Sequence, residues 1–541
     1  MNPIRFAVVA LPFVLAHVPA QETTTAAIPP GPQIFIDTVG PDGWRMRLGP
    51  TNLGSLLASE QGRAMWTPQV DPLMGMWRHV FGDDAAFTAA RDVLLGYGGR
   101  VRVGAWLPEG DGFGDRIASA AIVLDGDGRT DLDQLAAELR RLQAKLDGKW
   151  TKTDLDGTTV DTIVHGDDVM TAPLVEGKAI LLALGSKNDV ATALLNARML
   201  ARDHSEKITP ASPALGVRIG ADGLVKRFGA PDEVRKVLGL DSLHALLFHV
   251  GTAGPRVQFE VSLSFTSDER GLFAALFPAT QGIPDLQRFC DPKSSWKVGR
   301  FDWKALWLTA EKLLKLRNLG EEDIRAEAKK ELGIDPVDDL LAHMTDEVMV
   351  SVGAIDDPER LRDTPWTFAV RLRDQAAFGK GLDAALAHAK PMLSREASVE
   401  NADGELRRYG NFLGYDLWIT TGQGLFAIAA GANAEDRLKA LLAAAKAAKA
   451  DAPKDADFEA LARHLPRGVN GLAHGAVDSM IAAPLGAWML GMGDVAPEVF
   501  GVHLDSESRE QFLELLKKHE LHTVRTASGF ADSRWCWRLF W

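Results

Sequence analysis

Acidic residues recur at short intervals between Asp125 and Asp133, in the segment DGDGRTDLD. Carboxylate oxygens at alternating positions can converge on a hard cation such as Ca²⁺. The calcium-loop spacing is not met, because its glycine is replaced by Thr130 when counting from Asp125 and by Leu132 when counting from Asp127. We therefore expect these aspartates to stabilise a turn and to cap the helix that follows.

Two histidine segments could supply metal ligands or acid–base groups. His519 and His522 are three positions apart, whereas the zinc-hydrolase helix places its histidines four apart. His165 and Asp168 flank a predicted turn between two strands. We expect an ordinary helix end at the first segment and an ordinary turn at the second.

Other catalytic signatures are missing from the sequence. It has no G-x-S-x-G motif, and the glycines of GYGGRVRVGAW (96–106) precede a strand, so they cannot present helix amides to a phosphate. Carboxylates are abundant, but spacing singles out no pair. We expect a non-catalytic protein without cofactor or metal. A secreted hydrolase, with its acid pair assembled in space in a cleft between duplicated halves, stays an alternative.

Tryptophan is common, with 14 residues against 3 tyrosines. Trp303 and Trp307 share one face of a predicted helix close to Trp296, and Trp535, Trp537 and Trp541 alternate along the last strand. We expect both sets to contribute to the core. Stacking on a sugar or a protein partner is the alternative.

The uncharged segment SMIAAPLGAWMLGMG (479–493) is a candidate contact surface, carried by Met480, Trp488, Met489 and Met492. At 15 residues with an internal proline, it is too short to span a bilayer as a helix. A helix buried in the core is the alternative.

Cys290 and Cys536 are the two cysteines of the chain. In an oxidising compartment they could form a disulfide that links the middle of the chain to its last strand. Two separate thiols are the alternative, and neither cysteine belongs to a C-x-x-C motif.

The N-terminus is typical of a secretory signal peptide. Arg5 precedes the apolar run FAVVALPFVLA (6–16), and Val18 and Ala20 provide small residues before the predicted cleavage site. Residues 21–32 are then a flexible leader. We expect export to the periplasm or the extracellular space, with no transmembrane segment after cleavage. An uncleaved anchor is the alternative.

A formal charge of −13 argues against nucleic acid as a partner. The expected partner is an unknown envelope protein or an apolar ligand.

The chain repeats an order of predicted elements. Residues 117–197 and 365–444 each give a strand, a helix, three short strands and a helix. Lys236–Asp241 (KVLGLD) and Lys330–Asp335 (KELGID) each predict a helix that ends at a left-handed glycine. Locally connected blocks of this kind predict an α+β fold, with repeated antiparallel sheets and helices packed on one face.

The predicted organisation has six segments. They are a signal peptide (1–20), a leader (21–32), a first repeat block (33–212), a middle segment (213–320), a second repeat block (321–449) and a C-terminal segment (450–541).

Three stretches carry a resemblance to a known family. They are FIDTVGPDGWRMRLGPTNLGSLLASEQGRAMW (35–66), LGIDPVDDLLAHMTDEVMVSVGA (332–354) and LFAIAAGANAEDRLKALL (425–442). In pattern, most of the chain after the signal resembles exported bacterial proteins of the "domain of unknown function 3352" family. The resemblance implies an envelope-associated or secreted α+β protein and brings no catalytic residues. We therefore expect an exported, non-catalytic protein that binds an envelope component or a partner protein, with an apolar-ligand carrier as an alternative.

Overall fold

The computed structural model describes part of the chain. The described residues are 32–63, 92–107, 119–145, 148–155, 157–202, 214–221, 231–267, 269–279, 282–290, 294–316, 324–353, 365–388, 394–401, 404–412, 415–447, 469–476, 511, 514–531 and 533–540. They divide into two compact units, and each boundary falls inside the predicted middle segment. Unit 1 comprises Met1–Ala230 and His244–Val261, and unit 2 comprises Pro231–Leu243 and Ser262–Trp541.

Unit 1 is built on antiparallel strands with short connections. Its strands are β1 (Ile34–Val39), β2 (Arg100–Trp106), β3 (Ser119–Asp125), β4 (Lys149–Leu155), β5 (Thr158–His165), β6 (Asp168–Thr171), β7 (Leu174–Glu176), β8 (Ala179–Ser186), β9 (Leu215–Gly220), β10 (Leu243–Ala253) and β11 (Arg256–Phe265), which enters unit 2 at Ser262. Its helices are α1 (Pro41–Leu48), α2 (Asn52–Ala58), α3 (Leu132–Gln143) and α4 (Val190–Arg202). The strand order is β10–β9–β1–β2–β3–β8–β6–β5–β4, and β7 also pairs with β8.

Helices cover both faces of the central strands of unit 1. Leu135 of α3 packs in one cluster with Leu124 and Ile180, while Leu194 of α4 packs in another that contains residues of the opposite parity, such as Leu181. Strands β3 and β8 are apolar at successive positions, so each of their faces needs a cover. The α+β class is confirmed, but at this strand pair the helices are not restricted to one face.

Unit 2 repeats this architecture. Its remaining strands are β12 (Ser295–Arg300), β13 (Met344–Val352), β14 (Trp366–Leu372), β15 (Ser394–Asn401), β16 (Gly404–Phe412), β17 (Tyr415–Gly422), β18 (Leu425–Ala430), β19 (Val469–Ala476), β20 (Thr523–Ala531) and β21 (Arg534–Phe540). Its helices are α5 (Asp232–Leu238), α6 (Leu272–Leu276), α7 (Trp303–Leu316), α8 (Ile324–Leu332), α9 (Gln375–His388) and α10 (Ala434–Ala447), with short 3₁₀ or π turns at Leu240–Ser242, Asp285–Phe289, Pro336–Leu340 and Leu341–His343.

The strands of unit 2 pair in the order β21–β20–β19–β12–β13–β14–β18–β17–β16–β15, again antiparallel throughout. The run β9–β1–β2–β3–β8 of unit 1 therefore has the same connectivity as β19–β12–β13–β14–β18 of unit 2. Helix α9 packs with Trp366 and Ile428 on one face of the sheet of unit 2. The two predicted left-handed glycines are confirmed, with φ of 77° at Gly239 and 69° at Gly333.

Helices of membrane-spanning length and apolarity are not found in the part of the chain that the structure describes.

Candidate functional site

The aspartates of the acidic segment form a turn and a helix cap, as predicted. Asp127 accepts hydrogen bonds from the amides of Arg129 (2.8 Å), Thr130 (2.7 Å) and Gly98 (3.1 Å), and from the Thr130 hydroxyl (3.0 Å). Burial acts to raise the pKa of Asp127, but these hydrogen bonds outweigh it, so its pKa lies below the ordinary value. Asp131 caps α3 by accepting from the amides of residues 133 and 134.

A network of ion pairs lies next to this turn, at one end of the sheet of unit 1. The buried guanidinium of Arg102 donates to Asp125 at 3.0 and 2.5 Å, and Arg100 pairs with Asp37 on the neighbouring strand. Burial lowers the pKa of Arg102, and the Asp125 carboxylate acts against that shift. The Tyr97 hydroxyl lies 2.6 Å from the carbonyl oxygen of Asp125, and burial raises the pKa of this phenol. Each of these groups has a protein partner, so the network stabilises the strand ends.

The histidine segments also match their predicted structural roles. His165 and Asp168 face each other across a turn whose Gly166 has φ of 64°. The segment around His519 ends a helix, and Glu520 follows with φ of 58°. No group of three His, Cys, Asp or Glu side chains suitable for a metal occurs among the described residues.

The cysteines are thiols in the structure and are not joined to each other. Cys536 is buried in β21, and the Cys290 thiol lies 3.7 Å from the carbonyl oxygen of Leu286. Burial raises the pKa of Cys290, which disfavours its thiolate. The predicted contact residues Met480, Trp488, Met489 and Met492 lie outside the described residues, as does Trp541.

The described tryptophans differ in burial. Trp296 is buried and stacks on His474 with ring centroids 6.0 Å apart, whereas Trp303 and Trp307 of α7 are only half-buried. On β21, Trp535 and Trp537 are half-buried, and the more buried face of the strand carries Cys536 and Phe540 instead.

Trp535 has an internal partner at the edge of unit 2, where its ring stacks on Phe277 at 4.2 Å. The Arg270 guanidinium lies 3.8 Å above the ring of Phe530, directly opposite Trp535 in the strand pairing. This aromatic cluster covers one end of a sheet face of unit 2. Trp537 continues along the same face beyond it.

A row of side chains that is exposed at its centre crosses this face. Lys297 lies opposite Val350 on one side and Ala473 on the other, and directly paired residues project from the same face. We call the full set the Lys297 row; in strand order it consists of Leu539, Thr526, Ala473, Lys297, Val350, Phe368 and Ile428. Val350 is 41% exposed, Lys297 is exposed, and the other members are half-buried.

Lys297 is the charged member of an otherwise mostly apolar row. No hydrogen bond or ion pair to its ammonium is found among the residues that the structure describes. Its side chain is accessible, yet enough protein surrounds it for desolvation to lower its pKa.

Open space adjoins Lys297 on the same face. Gly299, two residues further along β12, would have no heavy atom within 4 Å of an added Cβ. The rest of the face is closed at β17 and β18, where Leu382 and Leu386 of α9 pack against Ile428. The Lys297 row is therefore accessible in its middle and covered at one end, a geometry suited to an elongated apolar ligand.

Sequence reasoning missed Lys297. In the stretch SWKVGR (295–300), a lysine between apolar neighbours predicts an ordinary solvent-facing position of an amphipathic strand. One signal was available in the sequence. The segments around Val350 and Phe368 have apolar residues at successive positions, which predicts strands that are apolar on both faces.

The sequence matches no protein-family model and no curated protein. Among solved structures, crystal forms III, IV and I of TP0453 are similar to part of this chain, with identities of 10%, 11% and 9%. The matches cover 47%, 47% and 44% of this chain and 86%, 84% and 76% of the other, and the TM-score is 0.22 in each case. A score this low carries no argument about fold or function.

Proposed function

We propose that this chain is an exported, non-catalytic protein that binds an apolar component of the cell envelope on the Lys297 row of unit 2. The observation that carries the proposal is the exposure at the centre of this row, of Val350 at 41% beside the exposed Lys297, between half-buried apolar neighbours. Exposed apolar surface that is contiguous across neighbouring strands marks a ligand or interaction site more often than scattered single residues do.

The space beside the row supports a ligand over a flat protein interface. Gly299 is buried, yet an added Cβ there meets no heavy atom within 4 Å, and it lies two residues from Lys297 on the same face of β12. Binding sites for small apolar molecules are concave, mostly apolar and provided with few polar groups. Of the alternatives considered from the sequence, the carrier of an apolar ligand fits this geometry best.

Export is part of the proposal and rests on the predicted signal peptide at residues 1–20. The resemblance to the "domain of unknown function 3352" proteins supports the same location. The matching strand orders of the units support an origin by duplication, with the binding surface specialised in unit 2.

Filling the space at Gly299 tests the proposal. The chain, expressed with its own N-terminus, is purified and its bound amphiphiles are measured by native mass spectrometry and solvent extraction. Titration with the apolar dye N-phenyl-1-naphthylamine gives an independent measure. We expect Gly299→Val to lose most of both signals, because its Cβ meets no heavy atom within 4 Å and its methyl groups fill space on the face of Lys297.

The matched control is Gly96→Val in unit 1, where an added Cβ also meets no atom within 4 Å. This variant should keep wild-type binding. Wild-type protein that carries no amphiphile and does not bind the dye, or equal binding by wild type and Gly299→Val, would contradict the proposal.

A further inference from the structure

The fold does not require a lysine at the centre of the Lys297 row. Strand β1 has the same pairing partners in unit 1 as β12 has in unit 2. Because β1 ends at Val39 and β12 at Arg300, Ile36 and Lys297 both lie three residues before the strand end. They also project from corresponding faces, those that carry α3 and α9 respectively.

The corresponding row of unit 1 is apolar throughout. It consists of Phe248, Val217, Ile36, Val103, Ile122 and Leu182. Ile36 at its centre is 8% exposed. An aliphatic side chain is thus compatible with this position, and a lysine there needs another explanation.

An ammonium surrounded by apolar groups is unfavourable unless an opposite charge or hydrogen bonds compensate it. The described part of the chain supplies no such partner to Lys297, although it pairs most of the arginines near the sheet ends, such as Arg300 with Glu347 at 2.9 Å. The desolvation that lowers the pKa of Lys297 would also strengthen its attraction to a bound anion.

We propose that Lys297 binds the anionic headgroup of a single-chain amphiphile whose apolar chain lies across Val350 and Phe368, up to the part of the face that α9 covers at Ile428. This inference rests on the proposed function and specifies its ligand. Strands are about 4.8 Å apart, so the two steps from Lys297 to Phe368 span roughly 10 Å. Gly299, where an added Cβ meets no heavy atom within 4 Å, leaves room on the same face of β12 for the headgroup.

The test compares ligands that have the same twelve-carbon alkyl chain and differ only in the headgroup. Dissociation constants of dodecanoate, dodecyl phosphate and uncharged dodecanol are measured by calorimetry and by dye displacement. The proteins are wild type, Lys297→Met, Lys297→Arg and Lys312→Met, the last removing an exposed lysine of α7. Circular dichroism verifies that each variant is folded.

We expect wild type and Lys312→Met to bind at least one anionic ligand about tenfold more tightly than dodecanol. Lys297→Met should bind all three equally, and Lys297→Arg should restore the preference. Preference for dodecanoate would indicate a fatty acid, and preference for dodecyl phosphate would indicate a phospholipid-type headgroup.

Two negative results have different meanings. If wild type and Lys297→Met bind dodecanol and the anions with equal affinity, Lys297 merely extends its ammonium into water, and the inference is wrong while the proposed function stands. If no ligand binds to wild type and no amphiphile is extracted from it, the proposed function itself is wrong.

Discussion

Replacing Arg102 with methionine should destabilise unit 1 by about 3 kcal/mol. Arg102 is 1% exposed and donates two hydrogen bonds to Asp125. Removal of one partner from a buried ion pair costs about 3–5 kcal/mol, because the other charge is left uncompensated. We expect the lower end of this range because the Asp125 side chain is 21% exposed and can be partly hydrated.

A double-mutant cycle with Asp125→Asn isolates the pair. The second substitution removes the charge left by Arg102→Met, so the double variant should recover about 2 kcal/mol relative to the sum of the single effects. Urea unfolding followed by circular dichroism gives the free energies. Hydrogen exchange of the amides of β2 and β3 assigns the loss to unit 1.

Arg140→Met is the matched control, because Arg140 also pairs with an aspartate but is 53% exposed. Its loss should cost less than about 1 kcal/mol. Equal costs for Arg102→Met and Arg140→Met, or a cycle without coupling between Arg102 and Asp125, would contradict this prediction.

Three further predictions concern local structure. Gly239→Ala should cost more than about 2 kcal/mol in urea unfolding, because Gly239 has φ of 77° and an added Cβ would lie 1.9 Å from the carbonyl oxygen of Arg270; Gly254→Ala, at φ of 60° in open space, should cost only about 1 kcal/mol. Leu438→Ala, which truncates a fully buried side chain of α10, should lower the unfolding free energy by about 2–5 kcal/mol without new dye binding. Asp127 has a depressed pKa in the folded state, so its contribution is complete above the unfolded value of about 4 and disappears as the pH falls through the folded pKa. Asp127→Ala should therefore destabilise the protein at pH 7 and do so progressively less as the pH falls below about 4, and an effect that does not change with pH would contradict this assignment.

Features of the fold that depend on local sequence could be predicted. Helix α3 begins at the predicted cap because the Asp131 carboxylate satisfies amides two and three residues away. The left-handed glycines at 239 and 333 follow equally from short-range signals. Each of these interactions joins residues within one turn of the chain.

Features that depend on long-range pairing could not be predicted in this way. The partner of Asp125 is Arg102 on another strand, so the acidic segment alone, which predicts a turn and a helix cap, could not show this ion pair. The helices on both faces of β3 and β8 likewise depend on which strands become central. The sequence predicts that Trp535 and Trp537 lie on the same face of β21. Which face is buried depends on packing, and it is the opposite face that carries the buried Cys536.

Lys297 shows why the candidate site belongs to this second group. Its two flanking neighbours, Val350 and Ala473, are 53 and 176 positions away in the chain. The sequence of β12 alone predicts only a solvent-facing lysine, because the apolar neighbours of Lys297 belong to strands that are distant in the chain. The corresponding position of unit 1 holds the buried Ile36, so an aliphatic side chain is compatible with this place in the sheet. If the lysine served only the stability of the sheet, Lys297→Met should destabilise unit 2. If it is kept for a ligand, the same variant should be at least as stable as wild type in the absence of ligand and differ from it only in binding, since the uncompensated charge is removed.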